Sequence, residues 1–246
     1  MRTVAAFDFD GTLSSRDNFL RFVRLVAGNA DTARAMAAAV PSLLASRKDK
    51  AQRDVAKATV LRQTLGGRRE DSLRDLGTRF ARLVVERHLN PHVVERLDAH
   101  RALGHELVIV SASLTLYLDP VAELLGIPTV LATAMEVDAD GRLTGEMTGE
   151  NVRGPEKARR LDAWLDTTPD TTPDTRPDTT PDTRTGDTSA VVFAYGDSHG
   201  DTELLARADH PVLVDAKGRV PADAAPVADP PPPGTDSGSG TATPRR

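Results

Sequence analysis

The ten residues VAAFDFDGTL, positions 4–13, constrain the fold more than any other part of the chain. The run from Val4 to Phe7 does not alternate with polar residues, so it reads as a strand buried on both faces, the kind found in parallel sheets. It ends in Asp8 and Asp10, whose side chains share a face only while the strand lasts, and Gly11 then breaks the pattern. Two carboxylates that close repel unless a cation lies between them or one keeps its proton. Asp followed by Gly-Thr is also ordinary turn chemistry, so the rest of the chain must separate a turn from a reactive site.

Further apolar strands follow in alternation with helices. ELVIVSAS at 106–113, a short run at 129–132, AVVFAY at 190–195 and HPVLV at 210–214 read as core strands. MEVDADGRLTGEM, from Met135, reads as a hairpin turning on Asp-Ala-Asp-Gly. Between the first two strands the periodicity predicts only helices, at 18–27, 31–46, 51–65, 70–88 and 91–103, with Gly66 and Gly67 as a break. Helices at 114–125 and 155–165 complete the alternation. The expected fold is α/β: a three-layer core with a Rossmann-like parallel sheet, formed by 1–13 and 104–220, and an all-helical cap, 14–103, inserted after strand one. Two segments have little to bury. The low-complexity stretch 166–187 contains TTPDTTPDTRPDTTPD, whose regular prolines exclude a helix or an interior strand and predict a surface loop. Residues 221–246 are mostly Pro, Ala, Asp, Gly and Ser and read as a disordered tail.

The absence of cysteine excludes thiolate nucleophiles, cysteine-held metals and disulfides, and fits a reducing compartment. The first strand leaves no space for a signal peptide, and no window reaches the ~20 apolar residues of a membrane span, so a cytoplasmic location is expected. The most apolar stretch, ARAMAAAVPSLLA, contains Arg34 and Pro41 and reads as a buried or interfacial helix. Residues 14–103 carry 18 Lys and Arg against 10 Asp and Glu, a net of +8, although the whole chain stands at −5. Such charges ordinarily coat solvated helix faces. A positive lid over an acidic core would also draw in anions, and it leaves room for peripheral contact with an anionic membrane surface. No P-loop, dinucleotide or zinc-finger spacing occurs, and nucleic acid is not an expected partner.

Open α/β sheets bind ligands at the carboxyl ends of their strands. Those ends carry Asp8, Asp10, Ser111, Asp197 and Asp201, and Lys157 lies in the first turn of the helix that begins GPEKARRL. A hard cation such as Mg²⁺ takes oxygen ligands, which Asp8, Asp197 and a backbone carbonyl supply. A lysine and a serine hydroxyl are suitable fixed donors for a phosphoryl group in transfer. Taken singly, a serine such as Ser111 or Ser113 at a strand end is more often a helix cap than a ligand, and Lys157 alone reads as a solvated lysine.

The ordered set DFDGT, a strand ending in Ser111, GPEKARRL and GDSHGD resembles the haloacid dehalogenase superfamily, in its phosphoserine-phosphatase-like branch with a helical cap. The resemblance covers Val4 to about Val220. It implies a phosphatase in which Asp8 is the nucleophile that forms an aspartyl phosphate and Asp10 is the acid and base. It further implies that Asp8, Asp197 and the backbone carbonyl of Asp10 hold Mg²⁺, and that Ser111 and Lys157 hold phosphate oxygens. Asp201 would anchor the metal shell or pair with Lys157. The implied substrate is a small phosphorylated metabolite, such as phosphoserine or another amino-alcohol or sugar phosphate. Phosphoserine phosphatases carry a glutamate seven residues after the second aspartate, where it helps to recognise the amino group; here that position is Asp17. A lipid headgroup phosphatase, such as a phosphatidylglycerophosphate phosphatase with apolar cap helices, is the alternative. A non-catalytic phospho-accepting receiver module is a weaker one, because it has no cap and places its acceptor aspartate later in the chain.

Overall fold

Side-chain alternation along the central strands builds two separate apolar layers. A computed structural model describes residues 2–45, 51–167 and 190–228. Strand β1 (Thr3–Phe7) lies inside a six-stranded sheet of order β4-β3-β2-β1-β5-β6. β2 (Glu106–Leu114), β3 (Thr129–Val137), β5 (Val191–Gly196) and β6 (His210–Leu213) run parallel, and β4 (Leu143–Thr148) pairs antiparallel with β3 as the expected hairpin. Ala5, Phe7, Ile109 and Tyr195 point to one face, where Val93 and Leu97 of α4 (Pro91–Ala102) and Tyr117 and Val121 of α5 (Thr115–Leu125) cover them. Val4, Ala6, Val108, Val192 and Ala194 point to the other, against Leu161 of α6 (Pro155–Thr167) and Leu204 of α7 (Thr202–Arg207). Period-two alternation thus yields the three expected layers.

Helices α1 (Phe19–Ala45) and α2 (Gln52–Thr64) form an arm with a small core of its own, Val23, Ala35, Ala39, Ala56 and Val60. Within α1 the two helices expected at 18–27 and 31–46 are present, separated at Gly28, whose φ of 78° and ψ of 171° are not helical. Helix α3 (Glu70–Arg87) lies against α5 so closely that a Cβ at Gly77 would fall 1.9 Å from the Leu116 carbonyl oxygen. Only glycine permits that approach.

Two expected boundaries move. The expected cap took in α4, yet α4 packs on the sheet; it opens with Asn90 accepting from the His92 backbone N–H and Pro91 in the first turn, and His100 bonds Tyr195 from it. Its periodicity marks a helix but carries no information about the layer it joins. The tail expected from Pro221 is also too long: Val220, Ala224 and Ala225 pack on the core, and Arg96 donates to the Ala225 carbonyl. The four-residue repeats beyond Thr167 and the chain after Ala228 lie outside the described residues. Among those described, no helix is long and apolar enough to cross a membrane.

Candidate active site

The strand order reverses beside β1, and the chain ends of β1 and β5 open the crevice where sheets of this kind bind ligands. Asp8 follows β1 directly and is buried. Lys157 Nζ donates to Asp8 Oδ1 at 2.5 Å and to Asp201 Oδ1 at 2.5 Å, and only 2% of the lysine is exposed. The other Asp201 oxygen accepts from the Ser198 backbone N–H and hydroxyl, at 3.0 and 2.9 Å. Both its oxygens are therefore engaged, and Asp201 positions Lys157. Half-buried Asp197 follows β5, and its Oδ1 accepts from Thr12 Oγ1 at 3.4 Å. Gly11, at φ 89°, lets the β1 loop pass beneath it: a Cβ there would lie 2.3 Å from Asp197 Oδ2.

Burial pushes Asp8 up to about 7 in spite of the lysine beside it. Burial works against the Lys157 charge, but Asp8 and Asp201 outweigh it and hold its pKa above the ordinary lysine value. Lys157 is therefore a permanent cation. Asp10 Oδ1 accepts from the Asn18 backbone N–H at 3.0 Å and side chain at 2.8 Å, and Oδ2 accepts from Ser113 Oγ at 2.5 Å. Tyr117 donates in turn to Ser113 Oγ at 2.6 Å. Burial raises Asp10 to about 6, and the bonds from Ser113 and Asn18 oppose the rise. A carboxyl near 6 can both give and take a proton near neutral pH.

Asp8, Lys157, Asp197 and Asp201 meet where the sequence places them, and Asp10 lies beside them. Ser111 is buried within β2 and accepts from the Ser113 N–H at 3.1 Å. Neither serine caps a helix, since β2 runs on to Leu114 and α5 starts after it. A register irregularity between Ser111 and Leu114 interrupts the pairing of β2 with β3, and Ser113, within it, reaches Asp10. Asp17 is exposed on the cavity rim and accepts from the Leu20 N–H at 3.3 Å. Asn18, Ser113 and Tyr117 are site residues that sequence reasoning missed; Asn18 carries only the signal of a helix start.

The carboxylates of Asp8, Asp197 and Asp201 offer oxygens that all lie within 4.8 Å of one another. An all-oxygen donor set fits a hard cation such as Mg²⁺, and with Asp201 engaged elsewhere, Asp8 and Asp197 are the side chains left to hold it. The site opens into a cavity of about 770 Å³ between the core and the arm. Lys57 of α2 latches the arm down: its ammonium donates to the Ala112 carbonyl and, at 2.5 Å, to Asn151 Oδ1, while Asn151 donates to Asp54 at 2.6 Å. Burial pushes Lys57 down to about 7.

The sequence profile of haloacid dehalogenase-like hydrolases matches residues 5–206. The chain belongs to this family. This haloacid dehalogenase-like hydrolase is 34% identical over 206 residues to Protein CicA of Caulobacter vibrioides, covering 84% of this chain and 83% of that one. Its fold resembles a protein of unknown function from Bordetella pertussis Tohama I, with TM-score 0.66 and 23% identity over 87% of this chain and 90% of that. It also resembles a probable phosphoserine phosphatase from Vibrio cholerae, with TM-score 0.58 and 18% identity over 87% of this chain and 56% of that. The α/β fold and the haloacid dehalogenase membership expected from the motifs are both borne out, and the likeness to phosphoserine phosphatases is one of fold.

Proposed function

We propose that this phosphatase is Mg²⁺-dependent and hydrolyses small phosphomonoesters through an aspartyl phosphate on Asp8. The observation that carries the reading is the buried triad of Asp8, Lys157 and Asp201. Lys157 holds one Asp8 oxygen and leaves Oδ2 for attack on phosphorus. The Asp8 oxygen forms the new P–O bond, the ester P–O bond breaks, and the departing alcohol oxygen takes the proton from Asp10. Water then attacks the same phosphorus and gives its proton to Asp10, which releases phosphate and restores the Asp8 carboxylate. Lys157 and Ser111 are the donors for phosphate oxygens. Asp8, Asp197 and the Asp10 carbonyl would hold Mg²⁺, which would supply positive charge to offset part of what accumulates on the phosphoryl group.

The test is hydrolysis of p-nitrophenyl phosphate by wild type and Asp8→Asn. The variant keeps the size of the side chain but loses the nucleophile, so turnover should fall by at least ~10³-fold with an unchanged circular dichroism spectrum. Chelator should abolish wild-type activity and Mg²⁺ restore it. Wild-type turnover in Asp8→Asn, or full activity in excess chelator, overturns the reading. A stable phosphoprotein without turnover would instead identify a signalling module.

A further inference from the structure

The cavity over Asp10 and Asp197 encloses about 770 Å³, well inside the range of about 300–1,000 Å³ that holds ligands far bulkier than a phosphorylated amino acid. Its lining changes from core to arm. On the core side it is polar, with Asp10, Ser113, Asn151, Arg153 and Asp197; on the arm side Phe19, Leu20, Met36, Leu43 and Val60 form an apolar wall beside Arg53, Asp54 and Lys57. Phe19 and Met36 pack in part against the arm's own core, and with Leu20 they stay half-buried, so the remainder of each side chain borders the cavity. Leu43 carries the wall outward to the surface, where Val40, Leu44 and Val55 are 45%, 59% and 47% exposed. Lys57, which also lines the cavity, has its ammonium tied to Ala112 and Asn151 and lies 5.4 Å from the centre of the Phe19 ring. Arg16 and Arg53 are exposed residues of the lining. A leaving group bearing an ammonium and a carboxylate would lose hydration against Phe19, Leu20 and Met36 and, among the described residues, would meet charged groups only at Arg16, Asp17, Arg53, Asp54 and the engaged Lys57 along the edge of that wall.

Resting on the phosphatase reading, we infer that the substrate is an amphiphilic phosphomonoester, whose alcohol carries an apolar chain or ring along the α1–α2 wall. Phosphate and apolar body then occupy opposite ends of one cavity, and the arm measures the body. The test is kcat/KM for a series of n-alkyl phosphates from methyl to octyl, all below their micelle concentrations, with O-phosphoserine beside them. A methylene transferred fully from water is worth about 0.8 kcal/mol, or about fourfold, so half-buried methylenes should each raise kcat/KM about twofold. Octyl phosphate should then exceed ethyl phosphate by about 50-fold and outrun phosphoserine. Met36→Gln and Leu20→Gln, checked for unchanged melting, should each flatten the dependence on chain length. A second arm presents phosphatidic acid in phosphatidylcholine vesicles: hydrolysis there identifies a bilayer source, and turnover of the soluble esters alone identifies a free one, both upholding the apolar wall. A flat alkyl series, or phosphoserine ahead of octyl phosphate, overturns the inference while leaving the phosphatase standing. No turnover of any ester sinks both.

Discussion

Replacing Lys157 with Met removes the cation between two buried carboxylates and leaves the rest of the sheet in place. Asp8 and Asp201 are 5% and 1% exposed, so neither can recover its lost partner from water without local opening. Breaking a buried ion pair by removing one member costs about 3–5 kcal/mol, which for a chain of this size lowers the melting temperature by roughly 6–20 °C. The deficit should depend on pH in a definite direction. Burial has already pushed Asp8 up to about 7 with the lysine present; without it the carboxyl rises further. A folded-state pKa above the unfolded value near 3.9 means that the native state binds a proton the unfolded chain releases, so stability is gained as pH falls through the folded pKa. From pH 9 to pH 7 the variant's Asp8 takes up its proton, whereas the wild-type carboxyl, at about 7, is only half protonated at the end of that window. Over that window the deficit should narrow by up to roughly 1.4 kcal/mol per pH unit. Urea unfolding followed by circular dichroism, in chelator so that no cation replaces the ammonium, measures it directly. A deficit below about 1 kcal/mol, or one that is the same at pH 9 and pH 7, would refute the claim that Lys157 carries the charge balance of the site.

Ser113→Ala removes the hydroxyl that holds Asp10 down, so the acidic limb of the kcat profile should move to higher pH; an unmoved limb would show that Asp10 does not act as the base. His100, fully buried against Tyr195, is held down to about 3, first by burial and then by His105 and Arg96. Its stabilising contribution is complete above the unfolded value near 6.5 and is lost as pH falls towards 3, so His100→Gln should lower the slope of stability against pH between 6 and 4 by about one proton. If the net charge of +8 over residues 14–103 steers anions inward, kcat/KM should fall as salt shortens the screening length to about 8 Å while kcat holds; a flat kcat/KM would leave those charges as solvated helix faces.

Asp8, Lys157, Asp197 and Asp201 were legible because each lies within a few residues of a strand or helix end that the apolar pattern marks clearly. Ser113 was not, because the irregularity that follows Ser111 interrupts strand pairing, and pairing leaves no trace in a single strand's alternation. Asn18 was missed for a related reason: its two bonds to Asp10 arise from the turn between Gly11 and Asp17, and the residue reads as a helix cap in isolation. Periodicity found every helix of the 14–103 block but could not tell α4, which covers the sheet, from α1 and α2, which form the arm. Composition misjudged 221–228 because two alanines, Ala224 and Ala225, and one bond from Arg96 to the Ala225 carbonyl dock the segment on the core.

Besides the Lys57 latch in its middle, the arm is rooted at its two chain ends, one on each side of the apolar wall. Just before α1, Asn18 grips Asp10; just after α2, the Gly67 N–H donates to the Leu143 carbonyl at 2.7 Å. The first root belongs to the reaction and the second to the hairpin edge, whereas Met36 and Leu43 belong to the span between. Substitutions along that span can therefore accumulate without disturbing the atoms around phosphorus, so a lineage carrying this fold can inherit its chemistry intact while its choice of alcohol drifts.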